Sequence, residues 1–553
     1  MDERLAQLGI DFWDYELAKS PTEALLLGDH RHDDRFEDGS RAAEDEHTAG
    51  YRRFAADAEA VDPAQLTADE LAARDLLIFE TTTSADVLET RQAELAVNHA
   101  IGIQEELPVT IQQMPLVQPG HAAAMIPKFT EMARFIRQLA DRLVEGVDAG
   151  RTPPQYTCER TVGQLDSYLG SDLATDPYLE IAPPPSMTDD EVTAWRDNLA
   201  AVIQQEVRPA WAEYRRVVAD TVVPAGRPED QPGLCWLDDG AATYRRLLRR
   251  HTSTDLEAGH IHQIGLRQIA MLGDEYRELG SEVLGTTDLA EIFTMLRQDR
   301  DLLFEDGPSI VTASEQALAR AKEAMVDWFG RLPRADCLVR ETPSGPTAFY
   351  YPPAADGSRP GIFYINTADP TRWQRFEIEA MTYHEGIPGH HLQLAIAGEL
   401  EGMAEFRKHI SPNAYVEGWG LYTERLADEM GLYSSPLDRI GMLSADSMRA
   451  GRLVVDTGLH AMGWSRQQAI GYFAANSPIT MTSITSEVDR YIGMPGQACG
   501  YMIGRLEILR MRAEAMEAMG DRFDIKGFHD TVLGSGNVPL DTLDRMVRAW
   551  AAA

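Results

Sequence analysis

The stretch Tyr383-His384-Glu385-Gly386-Ile387-Pro388-Gly389-His390-His391-Leu392-Gln393 constrains this chain more than any other part of it. Three imidazoles and one carboxylate fall within eight residues, in a chain with only 14 His among 553 residues. Neutral imidazole is the commonest protein ligand for zinc, and a carboxylate beside a ligating His can act on metal-bound water. A regular H-E-x-x-H helix puts its two His four apart on one face, but here position 388 is Pro. On a straight helix at about 100° per residue, His390 would lie about 120° round from His384 and His391 only about 20° round, which favours His391. Pro388 opposes a straight helix, because it has no N–H and its ring clashes with the carbonyl four residues back, that of His384. A kink or bulge is therefore expected. With Ile387 and Pro388 extruded, the remainder reads His-Glu-x-Gly-His and the second His is 390. His384 and His390 are the expected metal ligands, with His391 as the alternative.

Composition narrows the field around that motif. Acidic residues outnumber basic ones 88 to 51, a formal charge of −37, and such a surface repels phosphate backbones, so no nucleic-acid partner is expected. Apolar residues at 44% and charged residues at 25% are ordinary globular usage, and the length suffices for a large core. Cys158, Cys235, Cys337 and Cys499 are scattered without a C-x-x-C pair, so they are read as buried thiols rather than a disulfide framework or a zinc knuckle. Met1-Asp2-Glu3-Arg4 does not open a basic region followed by an apolar core, and no apolar run approaches about 18 residues. A cytoplasmic protein without a membrane partner is expected.

Helical signals fill most of the chain. Thr67-Ala68-Asp69-Glu70 reads as a capping box before Leu71, Leu76 and Leu77. An apolar stripe of Met125, Phe129, Met132, Phe135, Ile136, Leu139 and Leu143 predicts a helix over about 121–147, and Thr188 with Glu191 opens another. The pattern repeats near 258–283 and 312–330. His30 and His32 belong to an acidic segment read as a solvated loop rather than a metal pair. Between 337 and 366 the texture changes. Cys337–Arg340, Ala348–Tyr351 and Gly361–Asn366 are short β-branched or aromatic runs that read as strands of a small sheet ending before the His384 helix.

Together with Tyr415-Val416-Glu417-Gly418-Trp419-Gly420-Leu421-Tyr422-Thr423-Glu424, Asp456-Thr457-Gly458-Leu459-His460 and Pro495-Gly496-Gln497-Ala498, the His-rich stretch resembles the signature of the bacterial proteins catalogued as domain of unknown function 885. The resemblance runs over most of the chain and is most specific from about residue 230 onward. More distantly the chain resembles the all-helical zinc metallopeptidases of the thermostable carboxypeptidase Taq and thimet oligopeptidase type, whose motif is His-Glu-x-Gly-His. This chain departs from them by two inserted residues. The resemblance implies a mainly α, two-lobed helical zincin-like fold with a deep central cleft and a small β-sheet beside the metal-binding helix. That fold would be a single unit over 1–553, with 1–230 part of an N-terminal helical lobe and 231–553 bearing the metal site. It also implies a strand along which an extended peptide pairs, assigned to 361–366, with Tyr351 and Asn366 as substrate-binding candidates.

A catalytic zinc keeps three protein ligands and one open position, so a third ligand is needed. Glu417, on what reads as the next helix, is the candidate, since the resembled peptidases use a Glu at a similar remove. Glu424 lies seven residues on, about 20° away on the same face, and is either that ligand or an acceptor for a ligating imidazole. Glu377, Glu379, Asp428 and Glu429 read as helix-surface charges. Glu385 would be the general base, with His460, oriented by Asp456, and Tyr501 as donors to the oxyanion. Arg449, Arg452, Arg490 and Arg505 flank these segments, and nothing in the sequence chooses among them as a carboxylate anchor.

The expected function is zinc-dependent hydrolysis, with one Zn2+ per chain, of an amide bond in a short peptide or peptide-like substrate, of carboxypeptidase, dipeptidase or oligopeptidase type. Two rival readings use the same residues: a metal-dependent hydrolase or lyase of a small non-peptide metabolite, and a non-catalytic scaffold that has lost its metal.

Overall fold

The computed structural model describes residues 2–342, 347–354, 357 and 359–553. Helices make up most of it, and their starts follow local chemistry. Thr67 and Glu70 form the expected capping box of α1 (Ala68–Leu88). The apolar stripe becomes α2 (Pro119–Asp148), with Met125, Phe129, Met132 and Ile136 fully buried. Thr188 and Glu191 form a second capping box at α3 (Asp189–Val202). α1 packs Ala73, Leu76, Leu77 and Ala85 into one cluster, while α2 and α3 frame a separate hydrophobic core drawn wholly from residues 25–222. Burying each of its large apolar side chains contributes about 1.5–3 kcal/mol.

Farther along, α4 (Ala258–Val283) and α5 (Gly307–Trp328) lead into the sheet. Its strands are β1 (Cys337–Thr342), β2 (Ala348–Tyr351) and β3 (Gly361–Asn366), in the order β1-β3-β2. β1 runs parallel to β3, with Cys337 opposite Gly361, and β2 runs antiparallel to it, with Tyr351 opposite Ile362. β3 is thus the central strand with both edges used, which overturns the expectation that 361–366 offers an edge to a peptide. The alternation of β3, with Gly361, Phe363 and Ile365 buried, points one face into a core shared with Ile310, Leu318, Ile378 and Tyr383.

The remaining helices that matter here are α6 (Ile378–Glu385), α7 (His390–Glu399), α8 (Asn413–Glu429), α9 (Pro436–Ala461) and α10 (Cys499–Met519). α9 is the buried axis of this half, with Leu453, Val454, Val455 and Leu459 all inaccessible. Glu377 and Glu379 are not the surface charges expected. Glu379 is buried and bonded by Arg320 and by the Ser434 amide at 2.9 Å, and Glu377 accepts from Ser444 at 2.9 Å. The four cysteines are free, three of them buried. No helix among the described residues is long and apolar enough to cross a membrane.

Candidate metal centre

α6 ends at Glu385. The Gly386 amide donates to the Thr382 carbonyl at 2.8 Å, the backbone then leaves the helix through Gly386–Gly389 with a cis Ile387–Pro388 peptide, and α7 starts at His390. The kink expected at Pro388 is therefore a full break between two helices, since proline cannot continue the ladder. Gly389 is required for closeness, because a Cβ there would stand 1.9 Å from the His384 carbonyl oxygen. Trp419 Nε1 donates to the Pro388 carbonyl at 3.1 Å and holds the break against α8.

The break turns two imidazoles toward one carboxylate. His384 Nε2 and His390 Nε2 each lie 3.5 Å from Glu417 Oε2. The three ligand atoms fall within 4.8 Å of one another, and the two rings stand nearly perpendicular at 82°. A tetrahedral metal with bonds of about 2.0–2.2 Å separates its ligand atoms by about 3.4 Å, so the spacing suits a cation. Glu417 Oε2, which faces both imidazoles, is buried without a hydrogen-bond partner, as a cradle for a cation would leave it. Burial pulls the His384 imidazole down, yet Glu417 and Glu424 on its two sides, with Glu385 nearby, raise it to about 9. Burial likewise pushes Glu417 up, but the two imidazoles hold it well below the usual carboxylate range. Both shifts mean that this pocket favours positive charge.

The alternatives left open by the sequence are separated here. Glu424 Oε1 accepts from His384 Nδ1 at 2.8 Å, on the opposite side of the ring from Glu417. It orients the imidazole so that Nε2 faces the cluster, as outer carboxylates do in zinc sites. His391 points away: Nε2 donates to the Ala335 carbonyl at 3.1 Å and Nδ1 accepts from the Tyr350 hydroxyl at 2.9 Å. Burial lowers its pKa to about 4. Glu385 sits beside His384 on the last turn of α6, partly exposed, and forms no ion pair among the described residues.

One face of α8 builds the rest. Thr423 Oγ1 donates to the Tyr383 carbonyl at 3.2 Å, and Gly420 lets α8 close on His384, whose ring a Cβ there would meet at 2.7 Å. Residues 417, 420 and 424 recur every three to four positions and so share that face.

The family profile for "Bacterial protein of unknown function (DUF885)" matches residues 21–547. The chain belongs to the DUF885 family. No curated protein matches it. Among solved structures, this DUF885 chain is similar to "the putative lipoprotein from Colwellia psychrerythraea", at 24% identity and a TM-score of 0.92, over 100% of this chain and 99% of that one. It is also similar to "a putative lipoprotein of unknown function from Shewanella oneidensis", at 17% identity and a TM-score of 0.77, over 98% and 99% of the two chains. These likenesses are of fold.

Other expected residues of the DUF885 chain fall into two groups. Tyr501 stays with the cluster, its ring stacked on His384 at 6.4 Å and 19°, and burial with the nearby Glu417 charge raises its phenol to about 12. His460 does not join it. It is buried, Nδ1 accepts from the Leu234 amide at 3.1 Å and Nε2 donates to the Tyr491 carbonyl at 3.0 Å, so neither nitrogen is left for an oxyanion. Asp456 does not orient His460 either: it accepts from the Tyr244 hydroxyl at 2.5 Å and the Gly496 amide at 3.0 Å.

Asn366 is at the wrong end of the sheet. Gly361 abuts His391, whereas Asn366 lies five residues on, about 16 Å away along the strand. Tyr351 is near the right end but lies under the Arg359 guanidinium at 4.4 Å, and the residue that reaches the His-rich segment is its neighbour Tyr350. Strand alternation marks Tyr350 and Tyr351 as facing opposite ways but not which one faces inward. His30, finally, is drawn to Asp33 at 2.9 Å and stacked on His121 at 3.6 Å and 20°. Imidazole lone pairs lie in the ring plane, so two parallel rings share no point for a metal.

Proposed function

We propose that this DUF885 chain is a zinc-dependent hydrolase of an amide bond in a short peptide or peptide-like substrate, on a two-lobed helical zincin-like fold whose cleft opens at the cluster. The observation that carries the reading is the convergence of His384 Nε2, His390 Nε2 and Glu417 Oε2 at ligand spacing, with Glu424 behind His384 and Glu385 alongside. These three residues would hold the metal, leaving a fourth position open. Zinc bound there would polarise the substrate carbonyl and acidify the attacking water.

The chain's own groups do the rest. Glu385 takes the proton from the water as it attacks and returns it to the leaving nitrogen. Tyr501, whose phenol carries its proton at neutral pH as tyrosine ordinarily does, donates a hydrogen bond to the carbonyl oxygen as charge builds there. An extended substrate lies along β2, an edge strand packed against α6, instead of along β3.

Elemental analysis of untagged protein tests the metal, with about one zinc per chain expected. Glu385→Gln should keep that zinc and lose hydrolysis of blocked peptides by about 10²-fold or more. A metal-free protein after zinc incubation, or an active Glu385→Gln variant, would overturn the reading.

A further inference from the structure

Four arginines flank the cluster, and the structure separates them by how their donors are used. Arg505 pairs with Asp446, which also takes Arg425. Arg490 donates to Glu487 at 3.0 Å and to Gln497 Oε1 at 2.8 Å. Arg449 and Arg452, one turn apart on α9, are each 5% exposed and incompletely paired. Arg452 Nε donates to the Tyr491 hydroxyl at 2.8 Å and Nη2 to Glu487 at 2.9 Å, while Nη1 is buried with no partner. Arg449 has only a 3.7 Å approach to Glu424, which already accepts from His384, and its Nε is also buried without a partner.

Arg452 Nη1 and Arg449 Nε are thus buried donors without a partner beside the cluster. Leaving such a donor without a hydrogen bond is expensive, and the two match an anion. Arg452 also sits next to the chemistry. Its guanidinium carbon is 4.4 Å from the centroid of the Tyr501 ring, and that ring is stacked on His384 at 6.4 Å, so the two distances together bound the separation of Arg452 from His384. At about 3.3 Å per residue, two to three residues of extended chain span that interval at most.

We infer that Arg452, with Arg449, forms a subsite for the C-terminal carboxylate of the substrate, so that the enzyme removes one to three residues from a free peptide C-terminus. Arg452 Nη1 and Arg449 Nε are charged donors, and charge-assisted hydrogen bonds of this kind suit a carboxylate. The inference rests on the hydrolytic reading of the cluster.

The test compares N-acetyl-trialanine with its C-terminal amide. With zinc-loaded wild type, kcat/KM should favour the acid by about 10–100-fold, and Arg452→Gln should bring that ratio toward one while zinc content stays at the wild-type level. Arg449→Gln serves as a second variant if Arg452→Gln does not fold. Calorimetric binding of both peptides to the Glu385→Gln protein reads the subsite without turnover, and the acid should bind at least about tenfold tighter. Acid-selective binding that depends on Arg452, with neither peptide cleaved by wild type, would sustain the subsite and sink the hydrolase. Cleavage without preference for the acid would sink the subsite and sustain the hydrolase. Equal binding of acid and amide, or binding of neither, would overturn the subsite.

Discussion

At the level of single residues, the imidazoles at 384, 390 and 391 are chemically alike, and only their partners assign them roles. His391→Ala should keep zinc, because both its nitrogens are spent on Ala335 and Tyr350, but should lower stability by about 1–3 kcal/mol through the groups it leaves unpaired. His390→Ala should lose zinc with little change in folding; metal analysis beside thermal melts of the two variants checks the contrast. Glu424→Gln is a subtler case. It should weaken zinc affinity by about 10–100-fold in a chelator competition, as loss of an outer carboxylate does elsewhere. Helical arithmetic shows that Glu417 and Glu424 share a face, but not that they grip opposite nitrogens of one ring. That depends on where a second helix sits.

At the level of elements, the site is two short helices interrupted by Gly386–Gly389 and clamped by α8. The clamp depends on small residues at the contact. Gly420→Ala would place a methyl 2.7 Å from the His384 ring and should expel zinc while leaving the melting temperature within a few degrees of wild type. Retention of full zinc affinity by Gly420→Ala would show that α8 does not set the ring's position. Helix starts were readable because capping is local: Thr67 with Glu70 and Thr188 with Glu191 are bonded as their spacing implies. Strand positions were readable for the same reason. Strand order was not, since β1 joins β3 across an intervening strand and nothing in the three runs says which is central.

At the level of the whole molecule, burial has neutralised several histidines far from the site. His251 and His460 are lowered to about 3 and His529 to about 4, each mainly by burial. Their pKa is below the unfolded value near 6.5, so the unfolded chain binds more protons and stability is lost as pH falls from about 6.5 toward 3. Asp456, raised to about 7 by burial, works in the opposite sense between about 4 and 7. His391, lowered to about 4, adds to the three histidines, so the balance against Asp456 is about three protons and stability should fall by roughly 4 kcal/mol per pH unit just below pH 6. Denaturant melts between pH 7 and pH 5 check this, and a flat profile would show those histidines to be solvated. Residue types and their spacing along the chain were enough to establish helices, their caps, the three strands, a departure from straight helix at Pro388 and the shared face of 417 and 424, because each depends on neighbours within a few positions. Tertiary structure settled that His390, which the Pro388 kink already favoured over His391, faces Glu417, and it alone decided that His460 and Asn366 stand apart from the cluster and that Arg452 keeps an open donor beside Tyr501. Those outcomes depend on which distant groups share a buried volume, and no local spacing encodes that.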